Sequence, residues 1–473
     1  MNERIIITGM GIVSALGNNV DETLSALQAR KSGIGNLQYL QTSHTEFPVG
    51  EVKMTNEEMI KLLNLPEKEP STRTSLMGML AVREALQNAN LRQFDNPISD
   101  IRQSDIRQSD IRQSDIRQSE IGNRTIGNRT IGNRKIAFIN GTTVGGMDKS
   151  EQFYLDFLEN DTKNAYISTH DCGACTEMIA DYFGIFSQVD TISTACSSAA
   201  NAIVLGAELL KSGRADIVVA GGSECLTKFH LNGFNTLMIL DRKPCRPFDA
   251  TRAGLNLGEG AAYIVMERDN SMSDNPMSDN PMSDNPTIEN RKSEIEKSEI
   301  EKSHIALSGY ANTCDAYHQT ASSPNGEGAY LAMKKALENA QLVPEQIDYI
   351  NAHGTGTENN DASEGTAIVR LFGEKIPPFS STKSFTGHTT SAAGSVESVI
   401  SILALQHDFI PVNLNFSEKM PELPLIPYLD MNQLDTMNET EENHISPVSL
   451  HHVLCNSFGF GGNDTSLIFS KIE

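Results

Sequence analysis

Residues 191–206, Thr191-Ile-Ser-Thr-Ala-Cys196-Ser-Ser-Ala-Ala-Asn-Ala-Ile-Val-Leu-Gly206, decide how the rest of the chain is read. A mostly β-branched run, 190–194, enters Ala195-Cys196-Ser197-Ser198, and small and aliphatic residues then continue to Lys211. The pattern predicts a strand, a tight turn and a buried helix with Cys196 at its start. The unpaired N–H groups of a first helical turn, and the helix dipole, favour the thiolate form of a cysteine placed there. Ala, Ser and Gly neighbours let other backbone come close. A lone cysteine of this kind is more often a small core residue, so the weight falls on what stands elsewhere in the chain.

With 473 residues the chain can bury one large core or two. Its seven cysteines are odd in number and scattered, which points to a reducing compartment and a cytoplasmic protein. Cys172 and Cys175 form a CxxC, but no second CxxC or nearby histidine pair completes a metal site, and none is expected. A formal charge of −23, with no basic cluster, opposes nucleic acid and anionic membrane as partners. No apolar run is long enough to span a bilayer. The opening MNERIIITGMGIVSALG reads as a strand rather than a signal peptide.

Along the chain, strands and helices alternate. Strands are expected over 3–16, 135–141, 216–220, 258–267, 304–311, 348–352, 453–456 and 465–471. Helices are expected over 20–30, with Asp21 as cap, 75–90, much of 148–185, 328–340 and 361–371, and a further helix is expected to run to Leu405. Tandem pentads interrupt this order at 98–135 (IRQSD, IGNRT) and 272–301 (MSDNP, KSEIE). They carry too little apolar residue to bury a face, so they are expected to be exposed and functionally silent. Two stretches echo each other: TACSSAANAIVLGAELLKSG from 194 and TGHTTSAAGSVESVISILALQHD from 386. Each sets a reactive side chain, Cys196 or His388, before a helix rich in small residues. Their closing segments, GEGAAYIVMER and GGNDTSLIFSK, match as well. The echo suggests two related α/β halves around one centre.

Further stretches carry chemistry: NAHGTGT at 351–357, STKSFTGH at 381–388 and NSFGFGGND at 456–464. Together with TACSSA, VVAGGSE, RPFDATRAG, GEGAA and AAGSVES, they resemble the β-ketoacyl-[acyl-carrier-protein] synthases of the elongating type. The resemblance covers nearly the whole chain outside the pentads. It implies the thiolase fold, an α/β architecture of two related βαβαβαββ-type halves forming a five-layered α-β-α-β-α core. The halves would be residues 1–270, holding Cys196, and 303–473, with 271–302 as an inserted linker. The family's Cys-His-His triad falls on Cys196, His353 and His388, its supporting lysine on Lys383 and that lysine's partner on Glu397.

The implied reaction begins when Cys196 takes an acyl group from a carrier-protein thioester. The backbone N–H groups of Cys196 and Phe460 would hold the oxyanion, and Phe460 would also gate the site. Malonyl-carrier protein would then lose CO2, with His353 and His388 holding the enolate, to give a 3-oxoacyl thioester. Thr355, Thr357 and Phe458 fall on positions that bind the pantetheine arm. No permanent cofactor is implied, only the phosphopantetheine arm of acyl carrier protein. The implied partner besides the carrier is a second copy in a homodimer, or a chain-length-factor-like subunit in a heterodimer. A thiolase would carry a cysteine in the last Gly-rich turn, an initiating synthase would have asparagine for one histidine, and a chain-length factor would lack Cys196. Fatty acid elongation is the leading reading, and a ketosynthase subunit of a type II polyketide or polyene pathway is the alternative. An inactive scaffold keeping the fold is opposed by the complete triad.

Three departures stand out. The family's basic docking helix aligns near 62–73, where this chain is barely basic, leaving Arg242 and Lys243 as docking candidates. Gly254-Leu-Asn256 replaces the usual GFV. The segment 145–157, which lines the family's acyl pocket, is individual here.

Overall fold

The computed structural model describes residues 4–66, 70–91, 125–126, 129–130, 134–160, 166–269, 304–423, 425–430, 433–434 and 449–472. The tandem pentads lie outside the described residues, apart from a hairpin of Thr125–Ile126 against Arg129–Thr130 and the residues that lead into the next strand.

The first half runs β1 (Ile5–Ser14), α1 (Val20–Gln28), α2 (Asn56–Leu62), α3 (Arg73–Asn88), β2 (Ile136–Gly141), α4 (Met147–Glu159), α5 (Cys172–Phe183), β3 (Gln188–Ile192), α6 (Ser198–Lys211), β4 (Ile217–Glu224), α7 (Lys228–Thr236) and β5 (Gly260–Arg268). The second runs β6 (His304–Cys314), α8 (Glu327–Ala340), β7 (Tyr349–Asn351), α9 (Glu358–Phe372), β8 (Phe379–Ser380), α10 (Lys383–Thr386), α11 (Ala393–His407), β9 (His452–Gly459) and β10 (Asn463–Ile472). Strand order across the sheet is β8-β7-β9-β10-β6-β1-β5-β4-β2-β3. Counting outward from the centre, each strand of one half corresponds to the strand numbered five higher in the other. Directions correspond too: β1/β5 and β5/β4 are antiparallel, β4/β2 and β2/β3 parallel, and β6/β10, β10/β9, β9/β7 and β7/β8 repeat the series. The halves join edge to edge where Ile5, Ile6 and Ile7 of β1 pair with Leu307, Ala306 and Ile305 of β6.

Helices make the layers. α3 and α5 pack on one outer face, α8 and α9 on the other, and α6 and α11 lie between the halves. The apolar cores follow this division. One surrounds α6 and α11 and draws on both halves, one lies under α3 and α5, and one under α8 and α9. This is the five-layered, two-half α/β arrangement expected. α11 is buried all round because it touches helix or sheet on every side; Ala393 to Leu405 are all buried. Such a helix cannot be amphipathic, since no face meets water. Small residues set the spacing where the halves meet: a Cβ on Gly394 of α11 would lie 2.7 Å from Ala200 Cβ and 2.8 Å from Ala200 N of α6.

Local details differ from expectation at the α1 cap and at the start of α6. The cap of α1 is Asn19, whose side chain accepts the Glu22 N–H; Asp21 sits inside the first turn. Helix α6 starts at Ser198, after Cys196.

Candidate active site

Cys196 lies in the turn between β3 and α6. Ala195 takes a left-handed backbone (φ 52°), a sterically costly state that bends the chain sharply just before the cysteine. Short hydroxyl side chains fasten the bend. Ser198 Oγ accepts the Thr194 N–H at 2.9 Å and donates to the Ala195 carbonyl at 2.6 Å, while Ser197 Oγ donates to the Thr194 carbonyl at 2.8 Å. From the other half, Ser457 Oγ donates to the Cys196 carbonyl at 3.0 Å. Burial pushes the Cys196 thiol up to about 12, outweighing the Lys383 charge and the Phe460 N–H directed at the sulfur, both of which pull it down. The expected preference for thiolate is therefore not realised: desolvation dominates, and the group is a thiol at neutral pH.

His388 Nε2 stands 3.1 Å from Cys196 Sγ. The His353 ring lies edge-on to that of His388, centroids 5.3 Å apart at 83°. His353 follows β7, and Glu364 of α9 anchors it by accepting the N–H groups of His353 and Gly354 at 2.9 and 2.8 Å. Lys383, 1% exposed, reaches three acceptors with its ammonium: His353 Nδ1 at 3.1 Å, the His353 carbonyl at 2.6 Å, and Glu397 Oε1 in a close ion pair. An ammonium only donates, so His353 Nδ1 is the acceptor and its proton sits on Nε2. The His388 Nδ1 has no hydrogen-bond partner among the described residues, which leaves either tautomer available. Burial lowers both histidines well below the ordinary imidazole value, and the Lys383 charge lowers them further, so both rings are neutral at pH 7. Burial pushes Glu397 up to about 7 against the pull of Lys383.

His388 is held by the other half as well. Its N–H donates to the Asn256 carbonyl at 2.7 Å, and its carbonyl accepts the Gly258 N–H at 2.9 Å. Asn256 belongs to the Gly254-Leu-Asn256 stretch that departs from the pattern of the family this chain resembles. Its side chain accepts the Cys245 N–H at 2.6 Å and donates to the Asp241 and Lys243 carbonyls, stapling loop 241–245 behind the histidine.

A cleft of about 400 Å³ opens above Cys196, His353 and His388. One wall is mainly apolar: Phe234, Met238, Ile239, Leu255 and Phe460. The other carries Thr320, Ser322, Thr355, Thr357, Asn359 and Asn360. Thr355 and Thr357 share a hydroxyl hydrogen bond of 2.9 Å, and Phe458 packs 5.8 Å from the His353 ring. Phe460 stacks on Phe234 at 5.9 Å. The turn after it is left-handed at Gly461 and Gly462 (φ 84° and 73°), and the Phe460 N–H is directed at the sulfur. Every site residue singled out in the sequence thus lies in or beside one cleft. Chemically, the arrangement offers a thiol beside a neutral base, a backbone donor beside the sulfur, and paired neutral imidazoles able to donate to one developing oxyanion.

Glu364 escaped sequence reasoning, while Asn256 stood out only as a departure from the family pattern and Asn456 only as the start of the Gly-rich stretch. Glu364 and Asn456 bond each other at 3.0 Å inside the second half. The only signal for Glu364 is a carboxylate within the small-residue run DASEGTAIV. Two regions that the resemblance singled out are placed as follows. No residue of 145–157 lines the cleft, and α4 instead turns Tyr154, Leu155 and Leu158 to solvent. Arg73, at the end of the aligned docking segment, is buried against Glu259 at 2.6 Å. Arg242 and Lys243 are exposed, just past Ile239 of the apolar wall.

Comparison with known proteins places this geometry. The model of the β-ketoacyl synthase N-terminal domain matches residues 2–271, and that of the C-terminal domain matches 304–417. The chain is 28% identical over 489 aligned residues to 3-oxoacyl-[acyl-carrier-protein] synthase 2 of Vibrio cholerae serotype O1, covering 99% of each chain. It is 27% identical to the protein of the same name from Staphylococcus aureus, covering 100% of this chain and 99% of the other. Among solved structures, a ketosynthase in complex with its chain length factor from Xenorhabdus doucetiae aligns with a TM-score of 0.70 at 27% identity, over 99% of this chain and 98% of that one. The ishigamide ketosynthase/chain length factor shares the fold with a TM-score of 0.77 at 24% identity, each chain covered in full.

Proposed function

The chain belongs to the β-ketoacyl synthase family and is a condensing acyltransferase, and on that premise we propose that Cys196, His353, His388 and Lys383 carry the reaction. Cys196 Sγ attacks the carbonyl of an acyl-carrier thioester while His388 Nε2 takes the thiol proton. The oxyanion is held by the Cys196 and Phe460 N–H groups. On collapse the carrier's sulfur leaves and receives the proton, and the acyl group stays on Cys196. A malonyl-carrier thioester then enters. Its C–CO2 bond breaks, the electron pair forms an enolate, and the enolate oxygen accepts Nε2–H from His353 and from His388. The enolate carbon attacks the acyl carbonyl, the C–S bond to Cys196 breaks, the Cys196 thiolate takes up a proton from solvent and returns to the thiol, and a 3-oxoacyl thioester departs on the carrier. The unlocked tautomer of His388 suits its change from acceptor to donor; the tautomer of His353, fixed by Lys383, suits a constant donor.

One observation carries this assignment: a neutral imidazole from the second half stands in contact with a buried thiol from the first. Thr355, Thr357 and Phe458 suit the amide-rich phosphopantetheine arm of acyl carrier protein; no permanently bound cofactor is invoked. The units would be 1–270 and 303–473, with 271–302 between them. A homodimer is supported by β3, which among the described residues has a sheet neighbour on one side only, and by the exposed apolar residues of α4; the odd, scattered cysteines support a cytoplasmic protein. Among the described residues no helix is long and apolar enough to cross a membrane.

The test is peptide mapping after incubation with acyl-carrier protein. The acyl mass should sit on Cys196 and vanish in Cys196→Ala; an unmodified Cys196, or a variant still acylated and condensing, would overturn the assignment. A second reading, the ketosynthase subunit of a type II polyketide or polyene pathway, is favoured by the neighbour solved with a chain length factor. Activity that appears only with a non-identical partner subunit would decide for it.

A further inference from the structure

We propose that His230, backed by Glu224, sets the length of acyl chain that Cys196 accepts by filling the space behind Phe234. Neither residue has a part in the chemistry above, yet both are buried beside it. From the sulfur outward the residues form a continuous row. Phe460 directs its N–H at Cys196 and stacks on Phe234. Phe234 lies edge-on to His230, centroids 6.1 Å apart at 81°. His230 Nε2 lies 3.8 Å from Glu224 Oε1. The same row continues the cleft's apolar wall, the surface along which a hydrocarbon chain on the sulfur would run.

Glu224 is held in turn. It accepts Thr142 Oγ1 at 2.6 Å, the Thr143 N–H at 3.0 Å, the Thr143 hydroxyl, and Thr390 Oγ1 at 3.4 Å. His230 is fixed from behind by Thr227, which caps α7 and accepts the His230 N–H at 3.1 Å. A chain that pushed past Phe234 would meet an imidazole and a hydrogen-bonded carboxylate rather than hydrocarbon. To go further it would have to displace a buried ring that fills the space between Phe234 and Glu224, so the bulk of the imidazole stops it. The favoured substrate class is therefore the short acyl thioester.

This inference rests on the condensing role of Cys196, and the experiment separates the two. Acylation rates of Cys196 are followed by intact mass with saturated acyl-carrier proteins from acetyl to myristoyl. The wild type should take the short chains and fall by about tenfold or more towards the long end, the scale on which one pocket contact discriminates. His230→Ala should move that fall-off to longer chains. His230→Leu, which keeps the bulk without the polarity, should leave it in place. Thermal unfolding of each variant reports that it is folded. An unchanged profile in His230→Ala, a shifted one in His230→Leu, or a wild type equally fast on butyryl and myristoyl chains would overturn the proposal. Failure of Cys196 to acylate with any chain would instead overturn the function on which it rests.

Discussion

At the scale of single residues, the cysteine is reactive through its neighbour rather than through its own acidity. Its thiol is pushed up to about 12 by burial, and the nearest group able to take its proton is the neutral His388 at 3.1 Å. The sign of the pH dependence follows. A free cysteine titrates near about 8.5, so its alkylation rate levels off above that pH. Here the thiolate fraction keeps growing, and the iodoacetamide rate at Cys196 should rise through about pH 10 without a plateau, as followed by peptide mapping. The histidines act in the other direction. Both are held below their ordinary value by burial and by Lys383, so they stay neutral as pH falls through about 6.5. What the sequence could not reveal at this scale was the balance of forces at the sulfur. A motif places a cysteine near a helix start, but the burial that outweighs the Lys383 charge and the Phe460 N–H depends on how the folded chain packs around the sulfur.

At the scale of elements, correspondence between the halves runs deeper than the echo of Cys196 and His388. Ile5-Ile-Ile-Thr8-Gly9 of β1 answers Ile305-Ala-Leu-Ser308-Gly309 of β6. The ladder skips Thr8 in one and Ser308 in the other, immediately before each glycine. A Cβ on Gly9 would strike the Ala85 carbonyl of α3 at 2.3 Å, and one on Gly309 the Ala336 carbonyl of α8 at 2.4 Å. Each half uses the same bulge and the same close helix approach. Most elements were legible because apolar periodicity and small-residue runs name them. Two details were not. The α6 start moved past Cys196 because Ser197 and Ser198 bond the turn instead of extending the helix. His388 stands five residues ahead of α11, with Thr390 held at φ 46° between them, a conformation that a β-branched residue does not advertise. The α6–α11 contact can be tested directly. Gly394→Val would drive its Cβ into Ala200 backbone, and overpacking of this kind costs about 1–3 kcal/mol, so the unfolding midpoint in urea should drop; an unchanged midpoint would contradict the packing.

At the scale of the whole molecule, the sheet order joins two five-stranded halves through β1 and β6 and brings their central helices together. The cleft is therefore a property of both: Cys196 and Phe234 come from one half, His353, His388 and Phe460 from the other. Helix α4 carries a prediction of its own. Leu155 and Leu158 of α4 are 71% and 60% exposed, more than isolated surface leucines require once they share a helix face with Tyr154. Replacing both leucines by aspartate should turn a dimer into a monomer in light scattering; a wild-type monomer, or a variant that stays dimeric, would refute the proposed interface. Both halves supply the reaction's groups, Cys196 from the first and the paired histidines from the second. Acylation by acyl-carrier protein and CO2 release from malonyl-carrier protein are measured separately in Cys196→Ala and in His353→Ala. Cys196→Ala should lose acylation and still release CO2, while His353→Ala should acylate and lose CO2 release by about a hundredfold or more; a His353→Ala enzyme that releases CO2 at the wild-type rate would contradict that division.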